Sequence, residues 1–281
     1  MQIKFGQKLI DFFRFKLDKE MIRQHYNKFI QLQYYQNTME TLILGSSHGD
    51  YGYLASENEF NLALPSQDLY NSYKLYEKYS KSAKLKNVII FYSVFSEGFI
   101  LDKTNAKEIS LSYKNFFGIN ILHDSLFLRH RNLFFPWYFM QIVNNKISFN
   151  NGNNSSVEDT SQALRSSISP KERALAHLKS HNRPNKQIKY LHKLVDLCHK
   201  NSHNVFIVIA PATREYKENL PDGSFIFASL KEFNDVEIID LYDSDLFNDD
   251  DFLDWDHLNL SGAKKCTKYI KNVIYKANKN N

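Results

Sequence analysis

The stretch Thr41-Leu42-Ile43-Leu44-Gly45-Ser46-Ser47-His48-Gly49 decides how this chain is read. Its first four residues form an unbroken, mostly apolar run, which suits a strand covered on both faces. Gly45 then lets the backbone turn sharply, and two serines and a histidine follow. Two more runs have the same character: Asn87-Val88-Ile89-Ile90-Phe91-Tyr92, and Asn204-Val205-Phe206-Ile207-Val208-Ile209-Ala210, which stops at Pro211. A weaker run, Val236-Glu237-Ile238-Ile239-Asp240-Leu241, obeys the same rule, and a short strand is expected near Phe60 to Leu64. Helical spacing falls between these runs. Asp68 to Lys81 carries Leu69, Tyr73, Tyr76 and Tyr79. Asn185 to Asn201 carries Ile188, Leu191, Leu194, Val195 and Cys198. Ser261 to Ala277 carries Ala263, Cys266, Tyr269, Ile270 and Ile274, with Ser261 as its expected cap. Strands alternating with helices predict an α/β fold, a three-layer α/β/α sandwich around a central, mostly parallel sheet. No internal repeat competes with that reading.

The chain has 281 residues, 43% hydrophobic and 24% charged, which excludes disordered and fibrous classes. Aromatic residues make up 15%. Many of these rings should fill the core, and a surplus can line an insertion or a pocket for a sugar or an acyl chain. The net charge of +5 is spread along the chain. It permits an acidic partner, and without zinc-finger spacing or an Arg-rich arm no nucleic-acid partner is expected. Cys198 and Cys266 form no CxxC and no metal framework, so they read as buried small hydrophobes, in keeping with a reducing compartment.

Three segments set the expected organisation. Residues 1–40 read as an N-terminal amphipathic helical segment. Its apolar positions, from Ile3 and Phe5 to Phe15 and Leu17, are interrupted by Lys4, Lys8, Asp11, Arg14 and Lys16. That pattern matches neither a signal peptide nor a span of about 20 apolar residues. Such a helix either packs on the domain or on a second copy of the chain, or lies on a membrane surface. Residues 41–281 read as the α/β domain. Within them, about 101–184 read as an insertion of helices and a loop. It holds the aromatic segment Leu126 to Ile142 and the polar tract Asn150 to Ser156. The loop is either solvated surface or a lid over a site.

Two constellations carry chemistry. In an open parallel sheet, ligands bind outside the carboxyl ends of the strands. A serine on the turn after the first strand can therefore be exposed, with backbone N–H groups nearby to stabilise an oxyanion; alternatively the serines only form the turn and cap the helix. The second constellation is Asp254-Trp255-Asp256-His257-Leu258-Asn259-Leu260-Ser261-Gly262-Ala263, ahead of the last helix. A serine hydroxyl needs a base to take its proton, and the base needs a carboxylate to fix its tautomer. Asp254 and His257 share one tight turn, so that carboxylate reaches that imidazole; Asp256 competes for the same orienting role. His48 either touches substrate or caps its turn. Arg214 either binds an anionic sugar or phosphate at the carboxyl edge of the sheet, or makes a surface salt bridge. His192, His199 and His203 lack a carboxylate partner at metal-ligand spacing and read as surface residues; no metal site is expected.

Together, the serine turn and the D-x-x-H-L-N-x-x-G-A block resemble the two ends of the SGNH (GDSL-like) hydrolase pattern. The resemblance runs from about Thr41 to Ile274 and is strongest to the divergent members of bacterial surface-polysaccharide loci, which include O-acetyltransferases and esterases. It implies a flavodoxin-like α/β/α sandwich with Ser47 as nucleophile, His257 as base and Asp254 as its orienting carboxylate. It also implies acyl transfer, of acetyl above all, to a hydroxyl of a surface polysaccharide or its precursor. No cofactor is bound; acetyl-CoA or another acyl donor serves as co-substrate, and the compartment is the cytoplasm or the inner face of the membrane. The same residues with water as acceptor give a carbohydrate esterase or deacetylase, and loss of activity gives a silent glycan-binding or scaffold module. The chain departs from the pattern at two places. The second block, Phe60-Asn61-Leu62-Ala63-Leu64-Pro65-Ser66, offers no oxyanion glycine, and the third, Ser93-Val94-Phe95-Ser96-Glu97-Gly98, offers no asparagine. Replacement donors are then expected among Gly45, Ser46, Ala63, Ser66, Ser93 and Ser96.

Overall fold

The computed structural model describes residues 19–143, 168–184 and 186–280. The polar tract Asn150 to Ser156 and most of the N-terminal amphipathic segment lie outside the described residues. Of those described, 19–29 and 101–143 form one compact unit, and 30–100, 168–184 and 186–280 form another.

The elements follow in order as α1 (Lys19–Tyr35), β1 (Thr41–Leu44), α2 (Ser47–Gly52), β2 (Glu59–Asn61), α3 (Leu69–Tyr79), β3 (Asn87–Tyr92), α4 (Ser110–Asn115), α5 (Leu126–Val143), α6 (Pro170–His181), α7 (Ile188–Lys200), β4 (Asn204–Ile209), α8 (Arg214–Lys217), α9 (Gly223–Ile226), β5 (Glu237–Asp240) and α10 (Leu260–Asn280). The larger unit is an α/β/α sandwich. Its five strands are all parallel, in the order β2-β1-β3-β4-β5.

Successive side chains of a strand face opposite ways, so each continuous apolar run supplies both faces of the sheet. Ile43, Ile89, Phe91, Phe206 and Val208 pack on one face with Cys266, Ile270 and Ile274 of α10. Leu75, Tyr76, Leu191, Leu194 and Cys198 of α3 and α7 are buried as well. Cys198 and Cys266 are thus both buried and unpaired with each other.

The expected elements survive, some with trimmed ends, while the last helix runs further than expected, over Leu260–Asn280. The strand near Phe60 runs over Glu59–Asn61, and the Asn61 amide turns to α2 and the residue after it, donating to Gly49 O at 2.9 Å and Tyr53 O at 2.8 Å. Asp68 caps α3 and accepts from Asn71 N at 2.9 Å. At α10 the cap is Asn259 and not Ser261: Asn259 Oδ1 accepts from Ser261 N at 2.9 Å and Gly262 N at 3.1 Å. The Ser261 hydroxyl turns instead to Asp251.

The expected insertion is divided between the two units. Residues 101–143 belong with 19–29, where His25 Nδ1 and Ser112 Oγ lie 2.7 Å apart and Phe116 packs edge-on to Phe135. The aromatic segment is the helix α5, which carries Pro136 inside it and leaves Leu133 and Trp137 exposed. The helix α6 belongs with the sheet unit. It opens on a capping box, with Ser169 accepting from Glu172 N and Glu172 accepting in return, and with Pro170 in its first turn. His203, expected on the surface, is buried with its Nδ1 2.7 Å from Tyr76 Oη. The reason is a turn at Ser202 (φ 58) that sends the chain inward to start β4. Among the described residues, no helix is long and apolar enough to cross a membrane.

Gly45 leaves β1 at φ 132, and a Cβ there would stand 2.8 Å from both Cβ and O of Phe91 on β3. Gly45→Ala is therefore expected to cost about 1–3 kcal/mol through overpacking and a further ~1–3 kcal/mol through backbone strain. A denaturant melt showing an unchanged midpoint would contradict this.

Candidate active site

Chain order places the site. After β1 the chain adds β2 on one side and β3 on the other, so the order reverses around β1 and β3. Such a switch point opens a crevice at the carboxyl ends of the strands. Ser46 and Ser47 follow β1 there. Ser46 is the N-cap residue of α2, yet its hydroxyl makes no cap bond. Its Oγ lies 3.1 Å from His48 Nδ1 instead.

The base arrives from the other end of the chain. Asp254 Oδ1 accepts from the backbone N–H of Asp256 at 3.0 Å and of His257 at 2.8 Å, which closes the turn. Asp254 Oδ2 lies 2.8 Å from His257 Nδ1. Leu253 N donates to His257 O at 2.8 Å, and Phe252 bridges to Leu258. The loop after β4 ties the turn down, since Thr213 N and Thr213 Oγ1 both donate to Trp255 O at 2.9 Å. His257 Nε2 then lies 2.8 Å from Ser47 Oγ. Ser47, His257 and Asp254 form one hydrogen-bonded chain, with Nδ1–H donating to the carboxylate and Nε2 free to accept the serine proton.

Asp256 makes no hydrogen bond to the His257 ring, whose Nδ1 goes to Asp254. Asp256 itself lies beneath, 2% exposed, and accepts from His48 Nε2 at 3.0 Å. The Arg173 guanidinium of α6 grips it with Nε at 3.0 Å and Nη2 at 3.3 Å. His177, one turn further along α6, places Nδ1 3.5 Å from Asp256 and 2.7 Å from Tyr216 Oη. Sequence reasoning missed Arg173, His177 and Tyr216. The capping box of α6 is visible in the sequence, but nothing there says that its second turn meets a carboxylate 83 residues away.

Burial and charge sort these groups. Burial works against a charged His257, but the Asp256 charge and the Asp254 hydrogen bond outweigh it and raise its pKa above 6.5. Burial pushes His48 down despite its bond to Asp256. It pushes His177 down to about 3. Burial opposes the Asp256 charge too, and is outweighed by His257 and the His48 hydrogen bond, which hold that carboxyl well below its ordinary value. His48 is thus a buried link between Ser46 and Asp256. It neither reaches outward to substrate nor caps the turn backbone.

Several of the other expected donors have partners within their own turns. Gly45 O accepts from Leu64 N, and Gly45 N–H finds the Gln67 amide oxygen once that amide is turned to suit both its neighbours. Ala63 N donates to Asn61 Oδ1 at 3.1 Å. Ser93 N donates to Ser96 Oγ at 2.9 Å, and the two hydroxyls lie 3.1 Å apart, so both serve their own turn. Ser66 sits in left-handed backbone at φ 61. Among the described residues, no hydrogen bond joins Ser66, Ser93, Ser96 or Ala63 to Ser47. The backbone N–H groups of Ser47 and His48 open α2 ahead of any intrahelical acceptor. Arg214 is 86% exposed and pairs with Glu218 at 2.9 Å, the surface salt bridge of the two expected alternatives.

Ligating atoms of His48, Asp256 and His257 lie within 4.8 Å of one another. A cation there would have to displace Arg173 from Asp256 and the Ser47 hydroxyl from His257, so the set fits a hydrogen-bonded network and not a metal site. Against known proteins, a model of a family with no described function matches residues 156–279, under half the chain. No curated protein and no solved structure matches it.

In ¹⁵N-histidine NMR, His257 is expected to titrate above pH 6.5 while His177 stays neutral throughout the range from pH 5 to 8. A His257 that titrates below 6.5 would contradict the charge arrangement described here.

Proposed function

We propose that the chain is a serine-dependent acyltransferase of the SGNH type. The observation that carries the reading is the unbroken hydrogen-bonded chain from Ser47 Oγ through His257 to Asp254, with both links at 2.8 Å. Hydroxyl, imidazole and carboxylate in that order are what a serine nucleophile requires.

The steps follow from it. His257 Nε2 takes the Ser47 proton as Oγ attacks the carbonyl carbon of the acyl donor. The new negative charge falls on the former carbonyl oxygen, and the backbone N–H groups of Ser47 and His48 are the donors that meet it. The tetrahedral centre collapses, the leaving group departs with the proton from His257, and Ser47 holds the acyl ester. An acceptor hydroxyl then loses its proton to His257 and attacks that ester. The acyl group moves to the acceptor and Ser47 recovers its proton. Asp254 stays ionised throughout and steadies the imidazolium.

The acceptor comes from the SGNH resemblance: a hydroxyl of a surface polysaccharide or its precursor, with an acyl-CoA such as acetyl-CoA as donor. The esterase reading uses the same residues with water in the acceptor's place.

The test is intact-mass spectrometry after exposure to a serine-reactive fluorophosphonate. One adduct on the wild type and none on Ser47→Ala is expected. No adduct on either protein would overturn the reading in favour of a non-catalytic binding module. Asp254→Asn, which disturbs the tautomer of His257, should lower the rate of acyl-enzyme formation by up to about 10⁴. Full activity in that variant would remove Asp254 from the mechanism.

A further inference from the structure

A second Ser–His–Asp chain lies directly under the first. Ser46 Oγ meets His48 Nδ1 at 3.1 Å, and His48 Nε2 meets Asp256 Oδ2 at 3.0 Å. The imidazoles of the two chains lie 4.9 Å apart, centre to centre, and only 32° from parallel. The lower chain differs in two respects. All its members are buried, so no acyl donor reaches Ser46. Its carboxylate also carries a guanidinium from α6, whereas Asp254 carries none from the described residues.

A buried ionised carboxylate is costly unless paired and hydrogen-bonded. Here Arg173 and His48 supply both, and His177 stands by at 3.5 Å. Such a charge persists through the physiological range. A carboxylate oxygen of Asp256 and a ring nitrogen of His257 lie within 4.8 Å of each other, and at such close quarters, away from water, an unscreened charge acts strongly on its neighbours.

We propose that Asp256, pinned between His48 and Arg173, is a second carboxylate acting on His257. It is a positioning residue that supplies negative potential to the imidazolium through space, while Asp254 holds the ring by its hydrogen bond. Arg173 opposes it and trims its effect. The inference rests on the reading of His257 as the base that serves Ser47.

Every element packed on this cluster bears on its charge. From α2 come His48 and Tyr51, whose ring lies 5.2 Å from that of His257. From α6 come Arg173 and His177, and from α8 comes Tyr216, bonded to His177. The turn itself supplies Asp254. Burial holds His48 and His177 neutral and raises Tyr51 and Tyr216, so these four carry no charge near neutral pH. Among the described residues, that leaves Asp254, Asp256 and Arg173 as the fixed charges acting on His257.

Signs therefore separate this proposal from a merely structural role. Asp256→Asn removes a negative charge and should lower the pH at which His257 titrates. Arg173→Met removes a positive charge and should raise it. Arg173→Lys keeps the charge and should stay near the wild type. The readout is the His257 ring in ¹⁵N-histidine NMR, followed against pH in the full chain without any substrate. Opposite displacements in Asp256→Asn and Arg173→Met support the proposal. Displacements of the same sign, or none, overturn it. If Asp256→Asn alone fails to fold, the double variant Asp256→Asn/Arg173→Met leaves neither of the pair as an unpaired buried charge: a His257 titration below that of Arg173→Met supports the proposal, and an equal or higher one overturns it.

The titration needs no turnover, so the two readings fail separately. Opposite displacements without any fluorophosphonate adduct would leave the electrostatic inference standing and remove the acyl-serine. An adduct on Ser47 with no displacement in either variant would do the reverse.

Discussion

Asp254 divides its carboxylate between its own backbone and the imidazole of His257, and the position of the base depends on that division. One oxygen closes the turn by accepting two N–H groups, and the other fixes the ring. Had both oxygens gone to the ring, the turn would have lost the bonds that hold it. The turn is in turn hung from the loop after β4 through Thr213, while Ser47 is delivered by β1. Neither strand touches the other. β3 stands between them, so the 2.8 Å between Oγ and Nε2 is set by the register of three parallel strands.

Close packing at the head of β1 serves the same end. Gly45 presses against Phe91, and Phe91 also meets Gly49 and Gly52 of α2. The nucleophile therefore leaves its strand against a rigid aromatic neighbour. The cost is conformational, since the backbone adopts a φ that side chains with a Cβ avoid. Asn61 adds a second brace by capturing carbonyls of α2 and of the residue after it from the edge strand.

The two carboxylates of the final turn show how environment divides labour between like groups. Asp254 is 21% exposed and faces the ring. Asp256, two residues on, turns inward to a buried histidine and an arginine from a distant helix. A buried charge left alone would cost several kcal/mol, so Asp256 and Arg173 belong together, and α6 is bound to the site by more than packing.

Much of this was legible in the sequence. The apolar runs at Thr41, Asn87 and Asn204 declare themselves because a strand covered on both faces cannot alternate. The bonds that close the Asp254–His257 turn lie within a few residues, whereas its tie to Thr213 and its meeting with Ser47 span 42 and 210 residues. The parallel α/β sheet follows from short-range signals; the roles of Ser47, His257 and Asp254 come from the resemblance of the two blocks together to the SGNH pattern. The sequence offers Asp256 as a competitor of Asp254 for His257, and several scattered serines as hydroxyl donors. The tertiary structure chose between them. His48 stands 208 residues from Asp256, and Arg173 stands 83 residues away, so the contacts that drew one aspartate inward exist only once the sheet has formed. Ser93 and Ser96 satisfied each other, Arg214 found Glu218 within its own turn, and Asn259 displaced Ser261 as a cap. Spacing along the chain determines what a turn can reach, whereas burial and competing partners determine which of several like groups is left facing the site.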